Sequence, residues 1–106
     1  MSDAAEAVPI ACSLDATSLA ERLDEWRSLL ASAVVSVEAH ATSVRMVLDE
    51  SEAALVAAAS LGQREKQCCA FFEVAIELGP ESRALTLRVP AGAETVLAEF
   101  VTSVTS

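Results

Sequence analysis

The sequence predicts an α+β domain: a two-layer sandwich of order β-α-β-β-α-β-β-α, with a mainly antiparallel sheet that carries its helices on one face. Three observations support this. Leu19, Leu23, Trp26 and Leu30, and again Leu55, Ala58, Ala59, Gly62, Glu65 and Cys69, recur at helical spacing. Paired runs over 34–48 and 70–89 alternate apolar and polar residues with period two. Each strand so defined has one apolar side, which suits a sheet covered on one face and wet on the other.

Length and composition narrow the classes. A chain of 106 residues has room for one core, and it divides into a flexible polar arm at 1–7 and a single domain over 8–106. Hydrophobic residues at 53%, with only three Gly and three Pro, describe an ordered chain. The net charge of −9 comes from 16 acidic against 7 scattered basic residues, so nucleic acid and anionic membrane are poor partners. No apolar run is long enough to span a bilayer. Met1–Ala7 lacks the pattern of a signal peptide. Three cysteines outside any disulfide-framework spacing suit a reducing compartment, and the expected location is the cytoplasm.

The elements follow in order. Val8–Leu14 reads as a short edge strand with Ile10, Cys12 and Leu14 on one face; Pro9 is tolerable near its start. A helix over about 17–33 has Ser18 and Glu21 as a capping box, with Asp15 as a competing N-cap. A hairpin joins 34–41 to 43–48, placing Val35, Val37, Ala39 and Ala41 on one side of its first strand. A second helix, about 52–69, begins after Asp49, Glu50 and Ser51, acids that suit the positive end of a helix dipole. A second hairpin pairs 70–78 with 84–89 across Gly79-Pro80-Glu81-Ser82. A last helix over about 92–104 turns Val96, Leu97, Phe100, Val101 and Val104 inward. Phe71, Val47 and Ala75 fall on the wet face, where they suggest a homodimer through the outer side of the sheet.

The chemistry concentrates at Glu65-Lys66-Gln67-Cys68-Cys69-Ala70-Phe71-Phe72, where the second helix gives way to a strand. Cys68 and Cys69 are adjacent, and Glu65 lies one turn below both. Cys12 joins them if the second helix crosses the first strand. Thiolates select soft ions, so Cys12, Cys68 and Cys69 are candidate ligands for Hg(II), As(III), Cu(I) or Cd(II). Zinc is disfavoured because its structural sites take four ligands, and the chain has three Cys and one His; His40 alternates onto the wet face. Glu65 reads first as an acid at the rim of the core face, paired or solvated, ahead of a role as a metal ligand or as a group supporting thiolate ligands from behind. The plain alternative is that the cysteines pack as small hydrophobes in a non-catalytic interaction or ligand-binding domain. A cysteine nucleophile comes third: the thiols end a helix, beside an acid, whereas a reactive thiolate wants a helix N-terminus or cations.

I-x-C-S-L (Ile10–Leu14), L-x-E-W-R (Leu23–Arg27) and E-x-x-C-C-x-F-F (Glu65–Phe72) resemble a group of small bacterial proteins associated with heavy-metal resistance and metal-responsive regulators. The resemblance covers residues 10–100. It carries over Cys12, Cys68, Cys69 and Glu65 as positions of interest without assigned roles and implies no particular reaction; a metal-responsive protein is the expected partner. Ala70 stands where that pattern has a proline after the cysteines.

Overall fold

The computed structural model describes residues 16–68 and 71–105. Its elements are α1 (Ala16–Ala33), β1 (Val34–Ala39), β2 (Ser43–Leu48), α2 (Glu52–Cys68), β3 (Glu73–Leu78), β4 (Arg83–Arg88) and α3 (Glu94–Thr105). Three helices pack against one four-stranded antiparallel sheet of order β1-β2-β4-β3. The expected α+β architecture is present. The arm at 1–7 and the strand expected at 8–14 lie outside the described residues.

Each element follows from its pattern. In α1, Trp26, Leu29 and Ala33 are buried and Leu23 and Leu30 half-buried, a stripe at three- and four-residue steps. Ser18, expected as a cap, is the third residue of the helix, and Asp15 is not described. α1 runs into β1 without a turn. A register shift between Val34 and Ser36 then sets Val34 opposite Leu48, with Val37 and Ala39 opposite Met46 and Val44. Val35, expected on the inner side, is 66% exposed, because a bulge reverses the alternation locally. β2 and β4 are the central strands, and their inner residues Val44, Met46, Leu48, Leu85 and Leu87 are all buried.

The start of α2 is capped as its sequence suggests. Ala54 N–H donates to Ser51 Oγ at 3.0 Å, and Ser51 N–H donates to Asp49 Oδ1 at 2.8 Å. Along α2 the buried residues are Ala54, Ala58, Leu61, Gly62, Glu65 and Cys68. Ala59, expected on this face, is exposed, and Cys68, expected one helical step round from it, is buried; Cys69 lies outside the described residues. The stripe is turned toward Leu61 because α2 packs on α1 as well as on β3 and β4.

Gly62 allows that close approach. A Cβ there would lie 3.0 Å from Val74 Cγ1 and 3.3 Å from Leu85 Cδ1, so backbone and sheet meet with no room for a side chain. Gly62→Leu is expected to destabilise the fold by about 2–3 kcal/mol through overpacking, despite the better helix propensity of leucine. Urea unfolding followed by circular dichroism measures it.

The outer face of the sheet is held by charge. Arg45 Nη1 lies 3.3 Å from Glu38 and its Nη2 3.1 Å from Glu77, linking β1 and β3 over the central strands. The hydrogen bonds from Arg45 hold the Glu77 carboxyl below its ordinary range, and the backbone N–H of Ser51 does the same for Asp49. A carboxyl lowered by folding contributes stability that is fully present above the unfolded value near pH 4, and that is lost as pH falls through the lower folded value. A double variant, Asp49→Asn with Glu77→Gln, is therefore expected to lose less of its urea midpoint between pH 7 and pH 3 than the parent chain. Phe71, expected on this outer face, is instead half-buried against the core and stacks on Phe72 at 5.0 Å. The strand begins only at Glu73, so Phe71 belongs to the preceding turn and escapes the alternation.

Candidate thiol and carboxylate site

Glu65 is the buried charged residue among those described, at 3% exposure, and so belongs to the core rather than its rim. Removing a carboxylate from water is tolerated only with compensating partners. Two come from α1. Trp26 Nε1 donates to Glu65 Oε1 at 2.8 Å, and Arg22 Nη1 lies 3.4 Å from the same oxygen. Trp26 is fully buried, and its indole N–H can only donate, so the acid and the indole satisfy each other. Arg22 and Glu65 side chains are 13% and 4% exposed, a nearly dry ion pair between two helices.

The network continues outward. Arg22 Nε lies 3.7 Å from Glu25, and Arg64 Nη1 reaches both oxygens of Glu25 at 3.1 and 3.0 Å. Glu25 and Arg64 are exposed, so these outer contacts contribute little to stability by themselves. They do help fix Arg22 over the carboxylate.

Beneath Glu65 the four aromatic side chains of the chain form one run. Trp26 meets Phe100 edge-on, with centroids 5.4 Å apart at 88°; Phe100 lies 6.1 Å from Phe72, and Phe72 stacks on Phe71. Trp26 and Phe100 come from helices, whereas Phe71 and Phe72 come from the turn after the cysteines. Cys68, on the last turn of α2, is buried and joins the same hydrophobic cluster. The E-W-R and E-x-x-C-C-x-F-F stretches thus meet in space, as Trp26 on Glu65, with the buried thiol three residues further along the helix.

Cys12 and Cys69 lie outside the described residues. Among the described residues, no three His, Cys, Asp or Glu side chains gather as a metal-holding group, and no helix is long and apolar enough to cross a membrane. His40 is exposed at the β1–β2 turn, where its backbone N–H donates to the Ser43 carbonyl at 2.8 Å. A groove of about 650 Å³ runs between α1 and α2 over Leu29, Ala54 and Leu61 and does not include Glu65 or Cys68. Spacing alone did not reveal Arg22 as a partner of Glu65. The available signal was a base on the same helix face as Trp26, one turn before it.

No protein-family model, curated protein or solved structure matches the chain.

Proposed function

We propose that this chain binds a soft metal or metalloid ion through Cys68, Cys69 and Cys12, for storage, sensing or hand-off, without catalysing a reaction. The observation that supports it most is the buried carboxylate of Glu65, oriented by Trp26 and Arg22 one helical turn from the buried Cys68. Fixed polar groups of this kind commonly stand behind metal ligands and set their orientation. Cys68 and Cys69 are adjacent in the chain, and thiolate is the ligand that soft ions prefer. A bound ion displaces the thiol proton itself, so the unfavourable helix C-terminus does not count against binding.

A second reading is favoured by the place of Cys68 inside the hydrophobic cluster: the thiol only fills the core, and the chain is an interaction or ligand-binding domain. Titration separates the two. Reduced protein titrated with Hg(II) is expected to develop sulfur-to-metal absorption that saturates at one ion per chain. The Cys68→Ser, Cys69→Ser variant is expected to show none. Equal binding by that variant overturns the metal reading and leaves the second.

A further inference from the structure

We infer that the outer edge of β3 docks an extended segment of another protein, one that alternates apolar and basic residues and adds to the sheet as a further strand. The inference is independent of the metal reading. Among the described residues β3 pairs only with β4, so it is an edge strand. Every second residue of such a strand directs its N–H and C=O away from the sheet, where they can pair with another chain. The opposite edge is guarded: β1 carries the register shift between Val34 and Ser36, a bulge of the kind that interrupts pairing. β3 keeps an unbroken register from Glu73 to Leu78 and contains neither proline nor lysine.

The two rows of side chains on β3 specify the partner. Val74 meets α2 at Gly62, so alternation sets Ile76 and Leu78 on that same inner side. They are nevertheless 40% and 64% exposed, whereas Leu85 and Leu87 of the neighbouring strand are fully buried. Beside Leu78 a recess of about 320 Å³ is lined by Leu55, Glu50 and Glu52, which suits a long side chain with an apolar stem and a cationic end. The outer row of β3 is Glu73, Ala75 and Glu77, two acids and no base. Glu77 is shared with Arg45, while Glu73 forms no ion pair among the described residues. Apolar pairs and opposite charges across strands stabilise, so the matching strand is apolar inside and basic outside. A second copy fits poorly. Two β3 edges laid together would bring Glu73 and Glu77 of each chain alongside those of the other, between chains of net charge −9. Main-chain hydrogen bonds would give such a complex its affinity, and the alternating side chains its selectivity.

The test titrates the full chain with a capped peptide that alternates valine and lysine. The control peptide has the same composition, with all its valines before its lysines. The alternating peptide is expected to slow hydrogen exchange at the outward amides of β3 and to bind roughly tenfold more tightly than the control. Ile76→Lys puts a charge on the inner row at a partly exposed site and is expected to weaken binding of the alternating peptide roughly tenfold. Leu78→Lys, at a more exposed position of the same row, takes its place if Ile76→Lys does not fold. Glu73→Lys is expected to weaken binding and to reduce its dependence on salt. Failure of the alternating peptide to bind, equal binding of the two peptides, unchanged affinity in the folded inner-row variant, or protection confined to another surface overturns the inference. Slow exchange at those amides without peptide overturns it as well, since the edge is then covered by the chain itself or, if protection grows with protein concentration, by a second copy.

Discussion

Trp26→Ala is expected to cost about 4 kcal/mol of unfolding free energy, the cost typical of emptying a buried aromatic site. Trp26 is fully buried, edge-on to Phe100, and holds Glu65 Oε1, so its loss opens a cavity and strips a buried acid of its nearest donor. The second effect adds about 1–3 kcal/mol. Together they approach the whole stability of an average domain, about 5–15 kcal/mol, and the variant is expected to be largely unfolded at 37 °C. Trp26→Phe separates the two contributions: it keeps most of the volume and removes only the N–H, so its cost is expected to be about 1–3 kcal/mol. Urea unfolding followed by circular dichroism reads both, since the tryptophan signal is lost. A Trp26→Phe variant as stable as the parent would show that the hydrogen bond to Glu65 carries no stability.

Glu65→Ala is expected to cost about 3–5 kcal/mol, the range for breaking a buried pair by removing one partner. Arg22 is left largely buried with its charge uncompensated, and Trp26 loses its acceptor. The penalty belongs to what remains behind, so it shrinks when the remaining groups suit the new surroundings. Glu65→Gln retains an oxygen for Trp26 and is expected to be clearly more stable than Glu65→Ala. Residues sharing one network couple by about 0.5–3 kcal/mol. In a cycle of Trp26→Phe, Glu65→Ala and the double variant, the two losses should therefore sum to more than the loss in the double. Strict additivity would mean that the 2.8 Å contact is not energetically linked.

Much of the architecture was legible in the pattern of the chain, for a physical reason. β2 and β4 are central strands with one face on the helices, so burial enforces the alternation of Val44, Met46 and Leu48, and of Leu85 and Leu87. Edge strand β1 is under no such constraint. Its bulge moved Val35 to solvent, and no residue type at 34–36 announces that shift. The α2 stripe was readable to within one residue. Periodicity specifies that a helix has an inner face, but the partner on each flank sets its rotation, and α1 is a partner that local sequence cannot place. The same limit governs the candidate site. Glu65 stood out as an acid on an apolar stripe, and Trp26 as an indole on another. Their pairing joins residues 39 apart and depends on the helix crossing. Cys68 shows the limit most plainly: adjacency to Cys69 made both visible, while only the fold shows Cys68 on the buried side of α2.

The central claim is that the sulfurs at the end of α2 hold an ion. Native mass spectrometry of the reduced chain after one equivalent of Hg(II) tests it most directly, because coordination by thiolate replaces thiol protons. The account predicts a single retained ion, with a mass gain equal to the metal less the two protons whose charge it replaces, and its loss when Cys68 and Cys69 are both serine. Retention of the ion by that double variant, or a wild-type spectrum showing only the unloaded mass, would contradict it.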